Sequence, residues 1–251
     1  CLIMPAGLEI YNSDNKLMVS TELIGYFCRK SGTGTTQTAP DMGNTSPAKA
    51  VVPISGLGYS YPIVAIRIPG YTVSFARAYT VGGDRHFTTD APVGTSFTYY
   101  IFDYAPALPA ASSGLEVYNS SGQRTFSSFY HPLQVLNILT GGSVTYTGKS
   151  LATGLTTIGG FRVAGDYDYY SGGFPVPEGD PYDETGYRND ADLYGGMVSN
   201  SNQTITYGSV SFDDVYFGPG PGDIYKPPDF DNPCPVLVVD VSTIPLNTTF
   251  F

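Results

Sequence analysis

Tryptophan is absent, histidine occurs twice and cysteine three times. An odd, sparse cysteine count is no disulfide framework, and no Cys/His spacing matches a zinc site. Cys28 and Cys234 are read as buried thiols, with one bridge between them as the alternative. Charged residues make up only 14% of the chain, and acids outnumber bases enough to give a net charge of −10. An acidic surface excludes phosphate-backbone binding, so no nucleic-acid partner is expected. No run of 18 apolar residues exists, which rules out a membrane-spanning helix. No window carries a three-turn amphipathic helix either.

What the chain does have is glycine (30), tyrosine (21) and proline (20) in 251 residues. Short alternating apolar runs stand between Gly- and Pro-rich turns, the pattern of an all-β protein with long loops and little or no helix. Ile63–Ile68, Thr72–Ala76, Ser96–Phe102, Leu133–Leu139, Ser143–Tyr146, Thr204–Tyr207, Val210–Phe212 and Pro235–Val241 read as strands. Residues 31–50 read as a Gly/Ser/Thr/Pro-rich loop.

One phrase is written twice. Gly7-Leu8-Glu9-Ile10-Tyr11-Asn12-Ser13 returns as Gly114-Leu115-Glu116-Val117-Tyr118-Asn119-Ser120, and over fourteen aligned positions seven are identical, at an offset of 107 residues. That offset is the length of a small domain. The expected organisation is therefore a first β module over 1–105, a Pro/Ala/Ser linker over 106–113 and a second module over 114–251. Each module opens with a hairpin, turning at 12–16 and at 120–122. Each is expected to be sandwich-like, with 235–241 closing the second as 99–103 closes the first. The second copy also carries an insertion at about 164–199. Met4-Pro5-Ala6-Gly7 reads as a natural start just ahead of the repeat. Cys1 leaves open a lipidated N-terminus, initiator-Met removal or an upstream start.

The doubled phrase resembles the opening of small accessory tail proteins of long-tailed bacteriophages, where such a segment begins a compact β module that closes on an aromatic run like Tyr99-Tyr100-Ile101-Phe102-Asp103. Copy one carries Asn15 where the pattern has Gly, and Asn also tolerates left-handed backbone. The resemblance implies a minor tail protein, a non-enzymatic structural protein of the virion at the tail tip or tail fibre. Its implied partners are other phage tail proteins, and a trimer follows by analogy. Its implied location is the virion after synthesis in the host cytoplasm. The alternative is a receptor-binding module for a host surface glycan or pilus.

Catalytic signals are weak. His86 and His131 lie at a turn and before a proline, and there is no Gly-x-Ser-x-Gly elbow. The acids of the insertion (Asp166, Asp168, Glu178, Asp180, Asp183, Glu184, Asp190, Asp192) admit three readings: a glycosidase pair, Ca²⁺ ligands or solvated loop acids. The Asp-x-Asp-x-Asp-Gly spacing of a calcium loop is missing, and solvated acids are favoured; no cofactor is expected. Tyr167, Tyr169, Tyr170, Tyr182, Tyr187 and Tyr194 crowd the same stretch. Tyrosine offers large, rigid contact area, so these six are the candidate recognition or interface surface. The Pro/Gly run from Phe217 to Pro228 reads as an extended segment that lies along a partner. Four Asn-x-Ser/Thr matches (Asn44, Asn119, Asn202, Asn247) are what a Ser/Thr-rich chain produces by chance.

Overall fold

The computed structural model describes residues 7–38 apart from 12, 14 and 16, residues 48–74 apart from 56 and 57, residues 84–155 apart from 111, and residues 167–170, 186–217 and 235–250. Eighteen strands fill them. The first half holds β1 (Glu9–Tyr11), β2 (Leu17–Ser20), β3 (Tyr26–Thr35), β4 (Gln37–Thr38), β5 (Ala48–Val52), β6 (Ile63–Arg67), β7 (Thr72–Ser74), β8 (Arg85–Thr89) and β9 (Ser96–Tyr104). After a 3-10 turn at Ala105–Ala107 come β10 (Glu116–Tyr118), β11 (Arg124–Ser127), β12 (Gln134–Leu139), β13 (Ser143–Thr145), β14 (Leu151–Leu155), β15 (Tyr167–Tyr170), β16 (Gly186–Val198), β17 (Thr204–Phe217) and β18 (Val236–Asp240). No α-helix occurs among the described residues, and every pairing is antiparallel. The protein is all-β.

The duplication is visible in the register. β1 pairs β2 as Glu9↔Ser20, Ile10↔Val19 and Tyr11↔Leu17, with a bulge before Tyr11. β10 pairs β11 at the same 107-residue offset, Glu116↔Ser127, Val117↔Phe126 and Tyr118↔Arg124, with the bulge in the same place. Asn15 (φ 59) and Gly122 (φ 73) occupy equivalent turn positions in left-handed backbone, where Gly costs nothing and Asn is tolerated.

Register carries the repeat beyond the residues where sequence identity ends. β3 pairs β9 as Phe27↔Asp103 and Cys28↔Phe102, skips Arg29, and resumes at Lys30↔Ile101. β12 pairs β18 as Gln134↔Asp240 and Val135↔Val239, skips Leu136, and resumes at Asn137↔Val238. The inner strands match as well: Ile63↔Phe102 and Ala65↔Tyr100 correspond to Ala152↔Val239 and Gly154↔Leu237.

Two layers result, and both contain strands of both copies. One sheet runs β12-β18-β14-β6-β9-β3; the other runs β13-β17-β16-β7-β8-β5-β4, with β15 added on β16. In each sheet one copy's strands meet the other's in the middle, edge to edge, at β6–β14 and at β7–β16. The expected modules are thus not separate sandwiches on a spacer; their sheets are continuous. At β6–β14 the equivalent residues Ala65 and Gly154 pair with each other. Where the chain enters β12, the equivalent pair Tyr26 and Leu133 meets through Leu133 N–H donating to Tyr26 O at 2.7 Å, flanked by a Phe27–Pro132 bridge and Cys28 N–H to His131 O at 2.7 Å. A pseudo-twofold rotation exchanging the copies leaves both contacts in place. The six-stranded sheet therefore rolls until its two ends meet.

Apolar clusters follow on both faces of the rolled sheet. Between the layers, the first copy buries Val52, Ile66, Val73, Phe87, Phe97 and Ile101. The second buries Leu139, Leu151, Val198, Ile205 and Val238. On the opposite face of the rolled sheet, Cys28, Tyr100, Phe102, Leu237 and Val239 pack with Ile244 of the C-terminal segment. At full burial each large side chain is worth roughly 1.5–3 kcal/mol.

Several expected loops are strands. Residues 31–35 and 48–50, read as loop, belong to β3 and β5. Their glycines make room for aromatics: a Cβ on Gly34 would lie 2.5 Å from Phe97 Cζ, and one on Gly32 would meet the Tyr99 hydroxyl. Gly208, read as a break between two strands, faces Gly195 within an uninterrupted ladder. The linker is no free spacer either. Ala105 and Leu108 are buried against Phe27 and Tyr130, and the Arg124 guanidinium donates to Ala105 O (2.9 and 3.1 Å), Pro109 O (2.9 Å) and Leu108 O. Its last partner is the Glu116 carboxylate at 2.6 Å.

Asp103 and Asp240, equivalent by register, are both buried carboxylates. Asp103 accepts from the N–H of Ser60 (3.0 Å) and Tyr61 (3.1 Å) beside Arg29 at 3.5 Å. Asp240 accepts from Lys149 at 2.6 Å and from the Ser242 N–H and hydroxyl. Burial alone would push the Asp240 carboxyl up, but the Lys149 and Ser242 bonds outweigh it and hold it below its ordinary value. A depressed folded-state pKa stabilises above the unfolded value, near 4, and that contribution is lost as pH falls through the folded one. Wild type is therefore expected to exceed Asp240→Asn in stability at about pH 6, with the gap closing towards about pH 2, as read by urea unfolding across that range.

Candidate interaction surfaces

Two surfaces stand out, one on the paired hairpins and one on the insertion. Each hairpin is short and lies outside the sandwich sheets. Leu8, Ile10 and Tyr11 are 41–49% exposed, and Leu115 and Tyr118 are 52% and 49% exposed, whereas Val117, the equivalent of Ile10, is buried. Tyr11 donates to Glu9 Oε2 at 2.7 Å and Tyr118 to Glu116 Oε2 at 2.5 Å, the same bond in both copies. That bond, with its carboxylate acceptor, raises both phenols above their ordinary value. The hairpins adjoin through Gly25 N–H to Thr125 O at 3.0 Å. Between them opens a cleft of about 160 Å³ lined in part by the equivalent residues Val19 and Phe126, together with Leu23, Ile24 and Leu133. Leu23 is 63% exposed at its rim. Apolar exposure beside a cleft makes this a candidate contact surface.

The insertion is a β ribbon. Among the described residues β16 pairs β7 at Gly195, Gly196 and Met197, and its ladder with β17 continues from Gly195↔Gly208 out to Gly186↔Phe217. β15 adds a third strand, as Tyr169↔Tyr187 and Asp168↔Arg188. Register sets Tyr169, Tyr187 and Tyr216 in one row across three strands. Of the other expected tyrosines, Tyr167 stands opposite Asn189, Tyr170 opposite Gly186 and Tyr194 opposite Ser209. Tyr182 lies outside the described residues, as do Asp166, Glu178, Asp180, Asp183 and Glu184. Asp190 stands opposite Asp213 in the register. Among the described residues no three His, Cys, Asp or Glu side chains are grouped to hold a metal ion.

The remaining sequence candidates are scattered. His86 lies on β8 opposite Val51. His131 packs on Phe250 with ring centroids 5.5 Å apart, and burial lowers its pKa. Cys28 is a free, buried thiol pushed up to about 12 by desolvation. Cys234 and the Pro/Gly run from 218 to 228 lie outside the described residues. No described helix is long and apolar enough to cross a membrane.

No protein-family model, curated protein or solved structure matches the chain. The fold and surfaces define its class: an internally duplicated all-β protein with a doubled apolar hairpin at one site and a ribbon at another. Identity between the copies falls on Leu8/Leu115, Glu9/Glu116 and Tyr11/Tyr118, of which the leucines and tyrosines are exposed. Tyr216 was missed because Val210–Phe212 was read as an isolated short strand.

Proposed function

We propose that the protein is a non-enzymatic structural component of a bacteriophage virion, at the tail tip or a tail fibre, acting through protein–protein contacts. The observation that carries this reading is the doubled hairpin. The repeated phrase leaves Leu8, Tyr11, Leu115 and Tyr118 exposed while Val117 is buried, and it recurs in identical register on two adjoining hairpins. A neighbouring tail protein would bury exposed side chains of this hairpin pair, and aromatic anchors such as Tyr11 and Tyr118 dominate interface energetics.

Recognition of a host glycan or pilus is the second reading, favoured by the tyrosine row of the ribbon, since rigid aromatic surfaces suit sugar stacking. Two variants separate the readings in phage-borne protein. Leu8→Asp combined with Leu115→Asp is expected to leave the fold intact and abolish incorporation into particles, measured by antibody labelling of purified virions. Tyr169→Ser, Tyr187→Ser and Tyr216→Ser together are expected to leave particle yield unchanged. Lost adsorption of such intact particles would favour recognition. Normal incorporation of the hairpin variant would count against the docking role.

A further inference from the structure

The two ends of the pseudo-symmetric sheet are finished differently. Beyond the point where β3 and the entry to β12 meet, the outer edge of β3 is covered by the C-terminal segment. Ser31 N–H donates to Thr248 O at 2.8 Å, Arg29 O accepts from Phe250 N–H at 2.9 Å, and Lys30 bridges Thr249 in antiparallel sense. The same groups in the second copy, at the same 107-residue offset, are Ile138 N–H and Leu136 O. Side chains satisfy both: Ile138 N–H donates to Asn137 Oδ1 at 2.8 Å, and Tyr146 Oη–H donates to Leu136 O at 3.1 Å. No strand covers β12, which is the terminal strand of its sheet among the described residues. Ser31 and Cys28 are 2% and 0% exposed, whereas their equivalents Ile138 and Val135 are 53% and 44% exposed.

We propose that the outer edge of β12 is a strand-acceptor site, closed by Asn137 and Tyr146, for an extended segment of a partner polypeptide. The molecule itself displays the occupant's chemistry at β3. That chemistry is an antiparallel stretch with a carbonyl for Ile138, an N–H two residues on for Leu136, and an aromatic side chain placed as Phe250 is, to cover Val135. Each closing bond is replaced one for one on entry, and the gain is burial of Val135 and Ile138. Until then the two side chains keep a bare apolar edge from pairing indiscriminately. The inference stands on the paired edges and is independent of the virion reading.

The test uses the full chain and a synthetic peptide with the sequence of residues 244–250. The intramolecular segment holds β3 at high effective concentration, so free peptide reports on β12. Removing both closing groups, by Asn137→Ala with Tyr146→Phe, is expected to tighten peptide binding roughly tenfold over wild type. The Ile138 amide should gain hydrogen-exchange protection on binding. A peptide N-methylated at the Phe250 position, which cannot donate to Leu136 O, should lose binding with no change to the protein. Equal binding of the N-methylated peptide overturns the proposal. So does protection at Ser31 in place of Ile138, or failure of the opened variant to bind at the highest soluble peptide concentration.

Discussion

Arg124→Met is expected to cost on the order of 3–5 kcal/mol, the usual penalty for removing one partner of a buried charged network. Its guanidinium is the donor for Ala105 O, Leu108 O and Pro109 O and the counter-charge of Glu116. Arg124 is buried, as are Ala105 and Leu108 beneath it, so water cannot replace the lost donors. The equivalent residue of the first hairpin is Leu17, so the hairpin motif itself does not need an arginine at this position. What Arg124 secures is the passage between the copies. Arg124→Lys should recover little, because an ammonium cannot reproduce the planar fork that reaches several carbonyls at once. Urea unfolding should show a lowered midpoint at unchanged slope. A loss below about 1 kcal/mol would mean that these carbonyls find other donors.

Gly196→Ala is expected to destabilise by about 1–3 kcal/mol, and Gly196→Val by more. A Cβ at this position of β16 would lie 2.5 Å from Thr153 Cγ2 and 2.9 Å from Val236 Cγ1 in the facing sheet. Neither neighbour is free to step aside, since Thr153 lies mid-strand in β14 and Val236, at the start of β18, pairs with Leu139 and Leu155 on its two sides. The layers approach closely here, next to the β7–β16 junction where the copies join. Thr153→Ser removes the offending methyl and keeps the hydroxyl that donates to Ile66 O at 3.1 Å. Combined with Gly196→Ala it should recover roughly half the loss, a coupling that a double-mutant cycle measures directly. Gly154→Ala is the control: its Cβ would meet nothing closer than 3.4 Å, so it should be near neutral.

The sequence made the strand-forming regions of ordinary composition legible, because Ile63–Ile68, Ser96–Phe102 and Val236–Val241 are apolar, β-branched or aromatic and bounded by turn residues. It also made the hairpins and the αL turn at Asn15 legible, since turn chemistry is local. What was not legible depends on partners distant in sequence. Ser31–Thr35 reads as a loop until Phe97 and Tyr99 are seen to lie over Gly32 and Gly34. The Asp/Gly/Tyr-rich insertion reads as a loop until β16 and β17 pair along their length. Edge-to-edge joining of the copies leaves no local trace, because Ala65 and Gly154 are small residues whose pairing is decided by tertiary register. Of the six tyrosines, Tyr169 and Tyr187 share a register row with Tyr216, an alignment that needs the third strand and is not legible locally.

The account turns on one organisation: two copies of a β module fused through shared sheets about a pseudo-twofold axis. Cross-strand NOEs in the isotopically labelled full chain test it most directly. The account predicts contacts between Gly154 and Ala65, between Thr153 and Ile66 and between Gly196 and Val73, with amides at these junctions exchanging as slowly as those in the centre of β9. Absence of every cross-copy contact, with junction amides exchanging freely while each half keeps its own core, would contradict it.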